Sequence, residues 1–281
     1  MSRPFRFGVV ATPEGGPQRW IATARRAEEL GYATLLMPDG LQRPGPGGGV
    51  LLSPFPSLAV AASVTERLRV GTFVLASPLR TPMAAAWEAH SLGVLSGGRF
   101  DMGIGTGLPS MKASAERIGQ PYGDGADRLA RLEATIVQLR ELDGEARTPV
   151  LVAAGGPKAR ALAGRVADIV TLAAAPLATR EEVAASAAEV RSAAGDRAGD
   201  IELAMNLFVV GDEVPEWTKG FIGADAATLI EHDSLVMVRG SVAEMCDELQ
   251  RRRDVLGVSY ISCNAAFVEQ FAPVVERLTG Q

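Results

Sequence analysis

Short apolar runs and longer stretches of helical spacing take turns along this chain. FRFGVV (5–10), ATLLMPD (33–39), RVGTFVLAS (69–77), RFDMGIGTG (99–107), PVLVAAGG (149–156), DIVTLA (168–173), IELAMNLFVV (201–210) and VSYISCN (258–264) read as strands. They are nearly continuous in apolar character, as parallel strands covered on both faces are. Helical sequence follows them: RWIATARRAEELGY (19–32), SPFPSLAVAASVTERL (53–68), TPMAAAWEAHSLGVLSGG (81–98), DRLARLEATIVQLREL (127–142), PKARALAGRVA (157–167), TREEVAASAAEVRSAAG (179–195), SVAEMCDELQRRRDVLG (241–257) and FVEQFAPVVERL (267–278). Thr81-Pro82 opens one helix and Gly97-Gly98 closes it, as capping predicts.

Repeated βα units at this length favour an α/β TIM (β/α)8 barrel over a doubly wound sheet. No linker, charge block or low-complexity break divides residues 1–281, so one domain is expected. In such a barrel the strands' C-terminal ends carry the site. The loops at 40–53, which holds RPGPGGGV (43–50), 107–125 and 211–240 would then shape the pocket.

Composition narrows the choice. Hydrophobic residues make up 47% of the 281, enough for a sizeable core, and the net charge of −5 offers no nucleic-acid footprint. No apolar segment reaches the ~18 residues of a membrane span. MSRPFRFGVV enters a strand at once without a signal-peptide pattern, so a cytoplasmic protein is expected. Cys246 and Cys263 have no metal-ligand spacing, and no metal site is expected.

Three strand ends carry candidate chemistry. AAGGPKAR ends a strand in bare glycine and opens a helix with Pro157 and Lys158. Glycine lets a ligand approach the backbone, and a helix N-terminus attracts anions, so this is a phosphate site or else a tight βα turn. Gly103, Gly105 and Gly107 alternate, leaving room for a neighbouring strand or for a flat ring. Asp39 ends the second strand as a catalytic or ligand candidate, or as half of an Asp-Gly turn. His90 and His232 have no catalytic setting, and no hydrolase constellation appears.

The segments WIATARRAEELGYATLLMPD, RLRVGTFVLASPLRTPMAAAWEAHSLGVLSGGRFDMGIGTG and AAGGPKARALAGRVADIV resemble the luciferase-like monooxygenase superfamily, as does VRGSVAEMCDELQRRRDVLGVSYI. The form GGPKARALAG looks more like its coenzyme F420-dependent branch than its FMN-dependent branch. This resemblance implies a TIM barrel with a deazaflavin ring near Asp39, Phe73, Val74, Gly105, Thr106 and Gly107. It implies a non-proline cis peptide at Phe73–Val74. It puts the cofactor's phosphate end at Ala154, Gly155, Gly156, Pro157 and Lys158.

Two positions depart from the family. Gly40 stands where members commonly carry histidine, and Leu108 where the sugar-phosphate dehydrogenases carry glutamate. Alcohol oxidation needs a base. The expected activity is therefore an F420H2-dependent reductase acting on an activated C=N or C=C bond of a small organic molecule, in specialised metabolism. Asp39, Thr106 and Tyr122 are its candidate catalytic helpers. The alternatives are an FMN-dependent monooxygenase and a cofactor-binding protein without turnover. By the same resemblance a homodimer is expected, packed through Ala-rich helices such as 81–92.

Overall fold

The structure, a computed structural model, describes residues 3–41, 52–216, 218 and 222–281. The RPGPGGGV segment lies outside the described residues. The chain begins with β1 (Arg6–Val10), α1 (Pro17–Glu29), β2 (Thr34–Met37) and α2 (Pro54–Ser63). Next come β3 (Arg69–Thr72), β4 (Leu75–Ala76), α3 (Pro82–Leu95), β5 (Phe100–Gly105), α4 (Lys112–Arg117) and α5 (Gly125–Asp143). Then follow β6 (Val150–Ala154), α6 (Pro157–Val166), β7 (Ile169–Leu172), α7 (Arg180–Ala194), β8 (Glu202–Leu207) and β9 (Val209–Val210). The chain closes with α8 (Ala226–Glu231), β10 (Met237–Val238), α9 (Val242–Leu256), β11 (Val258–Asn264) and α10 (Val268–Leu278).

The main sheet is parallel, in the order β3-β2-β1-β11-β8-β7-β6-β5-β4, and β3 also pairs with β5 to close the ring. With β3 and β4 as two halves of one strand, this is the expected TIM barrel. Helix starts follow the sequence signals. Thr81 caps α3 by accepting from the Ala84 N–H at 3.3 Å. Thr179 with Glu182, and Ser241 with Glu244, form reciprocal capping boxes on α7 and α9. No described helix is long and apolar enough to cross a membrane.

The barrel interior is layered. At the strands' N-terminal ends sits a charged layer. Arg6 donates to Glu202 at 2.6 Å and to Asp101 at 3.4 Å, and Arg69 donates to Asp101 at 3.0 Å. The Arg6 guanidinium also lies 3.8 Å from the centre of the Tyr260 ring. Burial pushes the Tyr260 hydroxyl up to about 12, with the Arg6 charge limiting the rise. Above lies an apolar layer of Leu36, Leu151, Ile169, Ala204 and Tyr260.

Two sequence strands break. RVGTFVLAS divides at the Phe73–Val74 bond, which is cis as the resemblance implied. IELAMNLFVV divides after Leu207, because the Phe208 and Val209 N–H groups both donate to the Val236 carbonyl, at 2.8 and 3.1 Å. β9 thus leaves the barrel and pairs with β10.

Gly103 and Gly105 explain how the first break fits. A Cβ on Gly103 would lie 1.8 Å from the Thr72 carbonyl oxygen, and one on Gly105 would lie 2.9 Å from Val74 Cγ2. Gly103→Ala is expected to cost about 3 kcal/mol in urea unfolding, the upper range for overpacking. Gly199→Ala, where an added Cβ meets nothing within 4 Å, is the control and should stay near neutral. Equal midpoints for the two variants would refute this packing account.

Candidate active site

A cavity of about 550 Å³ opens at the strands' C-terminal ends. That is an ordinary size for a small-molecule site. β2, β3, β4, β5 and β6 supply one side. Asp39 follows β2 and is 8% exposed. Its Oδ2 accepts from Arg80 Nη1 at 2.6 Å and from the Ala76 N–H at 3.1 Å. The carboxylate is therefore held by a charge and a backbone donor rather than left to swing. Phe73 and Val74 line the cavity beside it.

Thr106, Gly107 and Leu108 continue the wall beyond β5. Gly107 has φ +77°, and a Cβ there would press on Pro78 at 3.0 Å. Gly155 and Gly156 face the cavity where β6 ends, and nothing comes within 3.4 Å of a Cβ placed on either. Pro157 is the first residue of α6, whose N-terminus has no side-chain cap. Its first backbone N–H groups are open to an anion.

Ala154, Tyr122 and Lys158 are not part of the cavity wall. Ala154 is buried in the outer core against the helices, while Ala153 faces the cavity. Strand alternation allows only one of two neighbours to point inward. Tyr122 packs against Ala76, Leu79 and Ala115, behind the cavity wall, with the Arg128 guanidinium 4.3 Å from its ring centre. Its buried hydroxyl has no hydrogen-bond partner among the described residues. Lys158 is exposed and does not line the cavity. It faces Asp124, which is held below the usual carboxylate range first by the Asp127 and Ala126 N–H groups, with Lys158 adding a coulombic pull.

Sequence reasoning missed the opposite side. Thr171 on β7, Asn206 on β8, Phe208 and Val236 contribute to the lining there. The signal was present in Asn206, a polar residue near the C-terminal end of an apolar strand. Val236 is fixed from behind. Arg252, 2% exposed, donates to the Leu235 carbonyl at 2.6 Å and the Met237 carbonyl at 2.7 Å. Among the described residues no group of His, Cys, Asp or Glu is placed to hold a metal ion.

The luciferase-like monooxygenase profile matches residues 2–218. The chain belongs to that family. It is 33% identical over 188 residues to the F420-dependent glucose-6-phosphate dehydrogenase of Beutenbergia cavernae, a stretch covering 58% of this chain and 55% of that one. The chain thus spans little more than half the length of that relative. Its fold matches the coenzyme F420-dependent tetrahydromethanopterin reductase of Methanopyrus kandleri, with TM-score 0.72 and 16% identity over 98% of both chains. It also matches the EDTA monooxygenase of Chelativorans sp. BNC1, with TM-score 0.76 and 14% identity over 99% of this chain and 95% of that one. The fold is therefore shared with enzymes whose names specify different chemistry.

The Arg252 clamp depends on Glu248, which accepts from Arg252 Nε at 2.6 Å and Arg180 Nη2 at 2.7 Å. Burial pushes the Glu248 carboxyl up, but Arg252, Arg180 and Arg251 outweigh it and bring it down to about 2 from an ordinary 4.5. A depressed folded-state value stabilises above the ordinary value and is lost as pH falls through the folded one. Glu248→Gln is therefore expected to lose on the order of 3 kcal/mol at pH 7, and the gap from wild type should close between about pH 4.5 and 2. A gap independent of pH in chemical unfolding would overturn this assignment.

Proposed function

We propose that the protein is an F420-dependent oxidoreductase, working as an F420H2-dependent reductase on an activated C=N or C=C bond of a small organic molecule. The cofactor reading is supported by the relatives of the chain, whose names specify F420. It also fits the cavity. Four glycines, 105, 107, 155 and 156, open its walls to a flat ring and to a phosphate. Asp39, Phe73, Val74, Thr106 and these glycines would hold the ring and its chain. The uncapped start of α6 at Pro157, with Lys158 nearby, would hold the anionic end. When bound in reduced form, F420 supplies a hydride.

One observation carries the choice of reductase. Among the described residues lining the cavity, Asp39 is the only ionisable side chain, and Arg80 already pairs with it. A dehydrogenase acting on a sugar phosphate needs a base for the hydroxyl proton and cations for the phosphate. Gly40 and Leu108 supply neither. Leu108 is 54% exposed at the rim, where it presents an apolar surface. A reduction asks less of the protein: orientation of the acceptor, exclusion of water by the apolar wall, and a proton from solvent.

Fluorescence titration with F420 and, separately, with FMN tests the cofactor. F420 is expected to bind in the micromolar range or tighter, with FMN at least about tenfold weaker, a gap of roughly 1.4 kcal/mol. Turnover of glucose 6-phosphate should be undetectable beside that of enones and imines. The reverse cofactor preference would transfer the protein to the oxygen-using members of the family. Binding of neither would reduce AAGGPKAR to a turn.

A further inference from the structure

The cofactor candidates lie at or near the ends of β2 through β6 and at the start of α6. The other half of the mouth has no role in that reading. The strand order puts β8 diametrically opposite the β3–β4 strand in the eight-membered ring. Asn206, on β8, therefore faces the Phe73–Val74 corner across the cavity. A ring lying against Val74 leaves the space in front of Asn206 for the second reactant.

The wall there is neutral. Phe208 and Val236 supply apolar surface, and Thr171 and Asn206 are its polar side chains among the described residues. The Asn206 amide is oriented. Ser262, 3% exposed, donates from Oγ to Asn206 Oδ1 at 2.8 Å. With Oδ1 engaged, Nδ2 is the group left to act in the cavity, and no described residue accepts from it. An amide Nδ2 can only donate.

We infer that Asn206 Nδ2 is the hydrogen-bond donor for the carbonyl oxygen of the hydride acceptor, and that the acceptor is a neutral, largely apolar α,β-unsaturated carbonyl compound. This rests on the deazaflavin reading above. The acceptor gains a hydride at the carbon β to its carbonyl, and the C=C pair moves to form an enolate. Asn206 Nδ2 holds the enolate oxygen while the charge develops. A water proton then adds at the α carbon. The two electrons come from the reduced deazaflavin, which is oxidised in the same step. Asp39 cannot take this part, because a carboxylate only accepts and Arg80 and the Ala76 N–H already occupy its Oδ2. Ser262 does not touch the acceptor in this arrangement. It is a positioning residue that sets which end of the amide faces inward.

The probe is 2-cyclohexen-1-one labelled with carbon-13 at the carbonyl. Three readouts are taken on wild type, Asn206→Ala, Asn206→Asp and Ser262→Ala: F420 affinity by fluorescence, the carbonyl stretch of the probe bound beside oxidised F420, and steady-state reduction with F420H2. Asn206→Ala and Asn206→Asp are expected to bind F420 within about twofold of wild type and to lose about 10²-fold in kcat/KM, the usual loss for one donor to a developing oxyanion. In both, the carbonyl band should move to higher frequency. Ser262→Ala should fall between, with a split or broadened band. Unchanged kcat/KM and band position in Asn206→Ala would overturn the assignment, as would a wild-type protein that binds F420 but neither binds nor reduces the probe. Failure of wild type to bind F420 is a separate result, and it removes the deazaflavin reading and this inference together. Thermal melts of each variant identify any loss that comes from misfolding.

Discussion

Val74 occupies room that Gly103 and Gly105 leave on the next strand. Much of the site follows from this one exchange of volume. It allows the β3–β4 strand to break at the mouth while the barrel stays closed through pairings of both halves to β5. It carries Phe73 and Val74 into the cavity, and Ala76 into reach of Asp39. The neighbouring turn then brings Arg80 to the same carboxylate. A side chain at Gly103 would strike the Thr72 carbonyl, so the arrangement depends on what is absent from β5 as much as on what is present in β3.

The mouth divides into two chemically different halves. One is glycine-rich, with backbone and a single paired carboxylate on show. The other is built of side chains, mostly apolar, and is propped from outside by the buried Arg252 guanidinium. Burying an arginine is costly unless it is fully engaged. Here two carbonyls and Glu248 satisfy it, and the two carbonyls flank Val236. The segment that shapes the cavity is thus held by polar contacts made outside the barrel.

Much of this was legible in the residues. The apolar runs marked the strands, Thr81-Pro82 marked a helix start, and the glycines marked β5 and the β6 end. Other features were set by closure of the ring, which no local pattern encodes. Whether Ala153 or Ala154 faces inward depends on strand parity within the barrel. Whether Asn206 stands across the cavity from Val74 depends on a pairing order that joins residues far apart in sequence. Tyr122 was placed beside the ligand by its loop, but α4 and the turn before α3 enclose it in a separate cluster. The exit of β9 from the barrel depends on the Val236 carbonyl, and nothing in IELAMNLFVV announces it.

The charged layer beneath the cavity has a consequence for traffic. Arg6, Glu202 and Asp101 pair across the base of the barrel beneath the apolar layer, so the mouth is the way in and out. A chamber stopped at its base is a dead end: whatever comes to rest against Val74 enters and leaves by the same opening that Asn206 lines.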